Sequence, residues 1–422
     1  MLGGWLGRSK VAIDAVCTWM CPAATMRSAM GSPRDPIGRP GRIAPERGCS
    51  VLHLLPSALG RGAQVFARAL ADRLDGPAER HELLCLFEGD SDVAMERTTG
   101  LLGGVRASSG FRPMALPRLA RELRRAAPDI VVAHGGDPFK YALLATSAPI
   151  VYYAIGTLPG RACRGSRRLL WLRLVRRAAL VAAVSDDVAS QYRRVLGLDP
   201  GRVVVAPNGR DPALFRPAAG QRDGVVVKLL FVGRLTAGKR PDRFIELVRA
   251  LREAGLPVQG EVVGEGPLRR SLEPLAASAG VELLGRRDDV ASLMQHADLL
   301  VFPSAPEGEG MPGVLIEAGL SGLAVVTTDV AGASAIVSDA GTGVVVPIDD
   351  FGRLVSATAE LVEDPARRWA MGVAARARCA ERFSIDVAAE RWRVLLDEVT
   401  ANRAGRGESR PKRAQRAPAR SG

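Results

Sequence analysis

A chain of 422 residues with 47% hydrophobic content is long enough for two or three domains with sizeable cores. Its formal charge of +13 suggests a nucleic-acid partner until it is located: Arg8, Lys10, Arg27, Arg34, Arg39, Arg42 and Arg47 outnumber Asp14, Asp35 and Glu46 in residues 1–47, and Arg403, Arg406, Arg410, Lys412, Arg413, Arg416 and Arg420 face only Glu408 in residues 401–422. The excess sits mostly at the two ends, which read as a disordered basic extension and tail, and no aromatic-rich basic surface accompanies it, so no nucleic-acid partner is expected.

Order is expected from about Cys49. VLHLLP (51–56) reads as a buried strand, SALGRGAQ brings a Gly60-x-Gly62 turn, and VFARALADRL has a helical period. A strand, a glycine pair and a helix start are a weak phosphate-loop signal. Short apolar runs follow at 81–87, 129–134, 149–155, 179–185 and 202–207, separated by helical patterns such as LPRLARELRRAA before Pro128. Strands alternating with helices at this spacing imply βαβ units and a parallel sheet. The turn Ala206-Pro207-Asn208-Gly209 closes this half, and 216–224 is a polar linker.

The pattern then restarts. Strands are expected at 225–233, 258–264, 281–285, 298–303, 324–328 and 343–347, with helices between them, at 351–363 and 365–382, and in a last amphipathic run at 385–400. The domains expected are an N-terminal Rossmann-like half at 48–220, a second at 221–384, and the run 385–400. The fold class is α/β, two doubly wound halves. Such sheets bind ligands beyond the carboxyl ends of their strands, so a cleft between facing halves is the expected site.

Two stretches carry chemistry. Gly233-Arg-Leu-Thr-Ala-Gly238-Lys239-Arg240 follows a strand and nearly matches a phosphate loop, but Arg240 stands where Ser or Thr would hold magnesium. A guanidinium cannot ligate a cation, so no metal is expected. Arg234 and Lys239 remain as two cations able to neutralise a diphosphate, unless they are merely solvated. The second stretch, PSAPEGEGMPGVLIEAGLSGLAVV (303–326), leaves a strand and enters a helix, with Pro312 expected in its first turn. The unpaired N–H groups of Gly310, Met311, Gly313 and Val314 would form an anion site. Glu309 and Glu317 bracket it, Glu317 about 7.5 Å along the helix from Pro312. Acidic side chains beside an anion site suit a ligand that also carries hydroxyls, since a carboxylate accepts from a diol. Phosphates with diols at both ends describe a nucleotide sugar. A capping Glu309 and a solvated Glu317 are the plainer alternative.

These pieces, with VVGEGP, VELLGRRDDV and GTGVVVP in order, resemble the C-terminal half of the retaining GT-B glycosyltransferases of family 4 (glycosyl transferases group 1). VLHLLPSALGRGAQ, PDIVVAHG, AAVSDDV and APNGRDPALF are similar to the N-terminal half. The resemblance covers about residues 49–400. It implies a metal-independent, cofactor-free hexosyltransferase that takes a sugar from a nucleotide diphosphate with retention. By this resemblance Arg234 and Lys239 would hold the diphosphate, Glu309 would face the sugar and Glu317 the ribose. Gly62, Gly233 and the 310–314 backbone would line the donor site, and 385–400 would cross back onto the N-terminal half. Arg286 and Arg287 would lie near the nucleobase without a side-chain role. Many members carry a histidine where this chain has Ile155, which bears on donor identity. His134 ends another strand, where it is either structural or on the acceptor side.

Asp90-Ser-Asp92 imitates a metal motif but reads as a surface loop, and Ser185-Asp186-Asp187 reads as a helix cap. The arginine-rich run 164–177 could lie on an anionic membrane surface, or form a helix with one buried face and one solvated basic one. Six scattered cysteines without framework spacing suit a reducing compartment, and no apolar run reaches the roughly 18 residues that span a bilayer. The N-terminal VAIDAVCTWMCPAAT resembles a signal core, interrupted by Asp14. The expected location is cytoplasmic, with peripheral contact at the inner face of the plasma membrane through 164–177 and the C-terminal tail 401–422, and the expected acceptor is lipid-linked or a saccharide. A nucleotide-sugar epimerase or hydrolase on the same fold, and a basic membrane- or nucleic-acid-binding protein, are the alternative functions.

Overall fold

The computed structural model describes residues 48–57, 62–87, 112–218, 220, 224–306 and 309–408. The extension 1–47, Gly60, the Asp90-Ser-Asp92 loop and residues 409–422 lie outside the described residues. In the first half, strands β1 (Cys49–Ser57), β2 (Glu79–Phe87), β3 (Ile130–His134), β4 (Ile150–Ala154), β5 (Leu180–Ala183) and β6 (Val203–Val205) alternate with helices α1 (Gly62–Leu74), α2 (Leu116–Ala126), α3 (Gly136–Ala145), α4 (Gly165–Val175) and α5 (Asp186–Leu196). In the second, β7 (Val227–Val232), β8 (Val258–Val263), β9 (Val281–Gly285), β10 (Leu299–Phe302), β11 (Ala324–Thr328) and β12 (Gly343–Val346) alternate with α6 (Pro241–Glu253), α7 (Arg269–Ala279), α8 (Val290–His296), α9 (Gly313–Leu320) and α10 (Ala333–Ile336). Helices α11 (Phe351–Glu363), α12 (Pro365–Phe383) and α13 (Ile385–Glu408) complete the chain's described part.

Each half is a six-stranded parallel sheet, in the orders β2-β1-β3-β4-β5-β6 and β12-β11-β10-β7-β8-β9. The apolar runs become central strands because both faces are covered: β3, β4, β5, β10 and β11 are buried at every position. Each sheet reverses direction of growth once, between β1 and β3 in the first and between β7 and β10 in the second. At such switch points the loops leaving neighbouring strands part and open a crevice. Gly62, His134, the 233–239 loop and the 303–317 segment all lie at these four strand ends.

Helix α13 packs on α1 and β3 of the first half. Its Trp392 is fully buried, edge-on to Tyr153 at 5.0 Å between ring centroids. The apolar positions Ala388, Ala389, Trp392, Leu395, Leu396 and Val399 recur at helical spacing and are buried together. Contrary to the expected disordered tail from residue 401, the helix runs on to Glu408, since no proline interrupts it before that point.

Candidate functional site

At the end of β7 the 233–239 loop turns into α6 through Arg240, which adopts a left-handed conformation (φ 49°) and pairs with Asp242. Pro241 then starts the helix. This turn presents Lys239 to the loop leaving β10. Lys239 is not merely solvated: its Nζ is ion-paired with Glu309 Oε1 and lies 4.9 Å from the centre of the Phe302 ring. Glu309 is held on two sides. It is 7% exposed and also accepts a hydrogen bond from Ser304 Oγ at 2.8 Å. A carboxylate taken from water needs such partners, and Lys239 and Ser304 supply them. Arg234 is exposed and makes no ion pair among the described residues.

Helix α9 begins at Gly313, so Pro312 caps it with an extended ψ of 108° instead of occupying the first turn. No side chain caps the helix, which leaves its first N–H groups for another partner. Gly310 is required here: a Cβ would stand 2.4 Å from the carbonyl oxygen of Ile155, so only glycine lets the loops from β4 and β10 approach. Thr157 N donates to Glu309 O, Asn208 Nδ2 to Met311 O, and Gly332 N to Asp187 Oδ2, tying the two halves around this point. Ser185 caps α5 by accepting from Val188 N.

Sequence reading missed Arg210. It follows the Asn208-Gly209 turn, is 5% exposed, and places Nε 2.6 Å from Glu317 Oε1. Its Nη2 would lie only 2.0 Å from a Cβ on residue 313, so glycine at the first position of α9 makes room for the guanidinium. The available signal was a charged residue directly after a strong turn, in a segment that otherwise reads as a connection.

One cleft of about 510 Å³ gathers these groups. Gly62, Gly233, Arg234, Lys239, Glu309, Gly310, Met311, Pro312, Gly313, Val314 and Glu317 all line it, together with Arg210 and Ile155. Three cations and two carboxylates converge on the start of α9, leaving the site net positive. The adjoining cavity, about 440 Å³, shares Ile155 and Gly156 with it and is walled by Asp137, Lys140, Tyr152 and Trp171. Lys140 pairs with Asp137 at 2.6 Å and stands over the Trp171 ring.

His134 lines this second cavity, yet its ring is buried in a chain of imidazoles. His134 Nε2 and His53 Nδ1 lie 3.0 Å apart, His53 Nε2 and His81 Nδ1 another 3.0 Å, and His81 Nε2 lies 3.3 Å from Glu79 Oε2. Glu79 as a carboxylate only accepts, so His81 carries its proton on Nε2, and the same logic passes along: His53 donates from Nε2 and His134 from Nε2. Burial pushes His53 well below the usual histidine range, lowers His81, and lowers His134 to about 3, so all three rings are neutral. His134 Nδ1 has no hydrogen-bond partner among the described residues. The orphaned lone pair is an expense of about 1–3 kcal/mol. Arg286 and Arg287 pair with Asp288 and Asp289 on the surface. Among the described residues there is no group of three or more His, Cys, Asp or Glu arranged to hold a metal ion.

Two Rossmann-like halves with a phosphate-type helix start and paired acids in the crevice define the GT-B class of fold. The description "Glycosyl transferases group 1" matches residues 226–364, and "Glycosyltransferase Family 4" matches residues 60–214. The chain belongs to this glycosyltransferase family. It is 33% identical to alpha-maltose-1-phosphate synthase of Mycolicibacterium smegmatis over 53% of this chain and 63% of that protein. It is 31% identical to D-inositol 3-phosphate glycosyltransferase of Kineococcus radiotolerans over 57% of this chain and 62% of that protein. The chain thus spans less than two thirds of the length of these curated relatives. Anabaena HepE, solved in complex with UDP and glucose, shares the fold with a TM-score of 0.69 at 19% identity, over 82% of this chain and 99% of that one. Sucrose-phosphate synthase of Thermosynechococcus elongatus does so with a TM-score of 0.69 at 20% identity, over 84% and 100%.

Proposed function

We propose that the protein is a retaining, metal-independent glycosyltransferase that moves a sugar from a nucleotide-diphosphate donor to a lipid-linked or saccharide acceptor in glycolipid or envelope polysaccharide synthesis. The single observation that carries this reading is the one cleft in which Arg234, Lys239, Glu309, Glu317 and the uncapped start of α9 come together. The family membership and the UDP-containing structure of a fold relative support it.

In this reading the donor diphosphate lies against the N–H groups of Gly313 and Val314, with Arg234 and Lys239 beside it. As the glycosidic C–O bond breaks, both electrons leave with the nucleoside diphosphate. Fixed cations and N–H dipoles in a site sheltered from water stabilise that charge without reorganising. The acceptor hydroxyl attacks from the face the leaving group vacates and passes its proton to the departing phosphate oxygen, which preserves the anomeric configuration. Arg240 in the magnesium position of a phosphate loop supports metal independence. Glu317 serves the ribose hydroxyls through its second oxygen, Glu309 keeps Lys239 in place and borders the sugar, and Gly62 closes the diphosphate side. The cavity bordered by His134, Asp137 and Trp171 takes the acceptor.

Contact with the inner face of a membrane is assigned to α4, where Leu169 and Leu170 are 53% and 58% exposed among exposed Arg164, Arg167 and Arg173. No helix among the described residues is long and apolar enough to cross a bilayer. The test is a transfer assay with UDP-, GDP- and ADP-sugars and an alkyl glycoside acceptor, reading the product's anomeric configuration by NMR. Retention supports the reading. Inversion, isomerised donor, or release of free sugar at the same rate with and without acceptor would refute it.

A further inference from the structure

Arg210 stands at the place where the chain passes twice between the halves. Its N–H donates to Phe383 O at 3.0 Å and its carbonyl accepts from Ile385 N at 2.8 Å, forming a parallel bridge with Ser384. Its backbone is therefore held by the segment that leads into α13. From this fixed point the side chain reaches both halves. Nη1 donates to Gly209 O at 3.0 Å, Nη2 faces Gly62 O at 3.5 Å at the start of α1, and Nε donates to Glu317 Oε1 on α9.

The placement is electrostatically odd unless Glu317 is its reason. A guanidinium packed against the first residue of α9 faces the positive end of the helix, where a cation is disfavoured. Glu317, with its side chain 17% exposed, offsets that, and the two groups hold each other in one rotamer. Only Oε1 accepts a hydrogen bond among the described residues, and Glu317 lines the cleft, so Oε2 is left for a ligand there. At 5% exposure and with its nitrogens directed at protein oxygens, Arg210 is not placed as a phosphate ligand.

We propose that Arg210 is a positioning residue: it aims the Glu317 carboxylate at the hydroxyls of a nucleoside ligand and makes that aim depend on the two halves being together. This rests on the reading of the cleft as a nucleotide-sugar site. Separation of the halves pulls the guanidinium from Gly62 O or from Glu317, so a nucleoside held by Glu317 favours the closed arrangement.

The test measures binding of UDP, GDP, ADP and inorganic pyrophosphate by calorimetry to the full chain, to Arg210→Met, to Glu317→Gln and to the double variant. The expected result is about a tenfold or greater loss of the preferred nucleoside diphosphate in Arg210→Met, pyrophosphate binding within about twofold of the original, and no further loss in the double variant. Equal losses for pyrophosphate and nucleotide, or additive losses in the double variant, would make Arg210 a phosphate ligand and overturn the proposal. Unchanged nucleotide binding would overturn it as well. If the unaltered protein binds pyrophosphate but no nucleoside diphosphate, the nucleotide-sugar reading fails, and the proposal with it. Arg210→Lys covers the case in which the methionine variant does not fold: lysine keeps the charge but lacks the planar fork, and is expected to lose nucleotide selectivity over pyrophosphate all the same.

Discussion

Lys239 and Glu309, 70 residues apart in the chain, form an ion pair in the wall of the cleft, with Ser304 donating to the same carboxylate oxygen. The two partners are unequally buried, at 27% and 8% side-chain exposure, so their removal has unequal consequences. Lys239→Met strands an enclosed carboxylate and is expected to cost about 2 kcal/mol of stability along with donor binding. Glu309→Gln keeps a hydrogen-bonding group and frees Lys239, so it is expected to cost under about 1 kcal/mol and to tighten pyrophosphate binding. Urea unfolding and calorimetry check both. Equal costs, or weaker pyrophosphate binding in Glu309→Gln, would contradict the pairing.

Trp392 anchors α13 on the first half through Tyr153. Trp392→Ala leaves a large void under a helix and is expected to cost about 3–5 kcal/mol. Truncations at exposed Val394 on the same helix should cost under about 0.5 kcal/mol. Denaturant midpoints at constant m-value measure the difference.

The three buried histidines give the fold an acid-sensitive window. Their folded-state pKa values lie below the ordinary value of 6.5, and that of His134 is about 3. Unfolding therefore takes up protons below pH 6.5. The stabilisation is fully present above that pH and is lost as pH falls toward 3. Between pH 6.5 and 5 most carboxylates stay ionised, so histidine dominates the slope. His81 also faces Glu79, Asp75 and Arg393, the acids partly opposing the shift. His134→Gln is expected to show a smaller drop in urea midpoint from pH 7.5 to pH 5 than the unaltered chain. An identical drop would contradict this account.

Helix α4 offers a separable surface prediction. Replacing Leu169 and Leu170 with serine should reduce co-sedimentation with vesicles containing anionic lipid while leaving the thermal midpoint within about a degree, since both side chains are largely exposed. Equal binding to neutral vesicles, or no change on substitution, would remove the membrane assignment.

The strands were legible because both faces of each sheet are covered, which turns them into short continuous apolar runs such as Leu299–Phe302. The cleft residues were legible because strand-to-helix loops at the switch points carry their own local signature, as in Gly233–Lys239. Pairings between distant segments were not. Nothing in the local pattern couples Lys239 to Glu309, and the reading of 206–209 as a turn stopped one residue short of Arg210. His53, His81 and His134 look unrelated in sequence because only the order β2-β1-β3 sets them in a row. Pro312 fell one position outside its helix because a capping proline and a first-turn proline have the same fixed φ and differ only in ψ.

The most direct measurement is a thermal-shift panel of UDP-, GDP- and ADP-sugars on the unaltered chain and on Arg234→Ala. Arg234 is exposed, so the variant should fold with an unchanged midpoint. One donor at about a hundredfold its Kd should raise the midpoint of the unaltered chain, by about 2.7 kcal/mol of linkage, and barely move that of the variant. No shift with any nucleotide sugar, or the same shift in Arg234→Ala, would contradict a diphosphate-sugar site in this cleft.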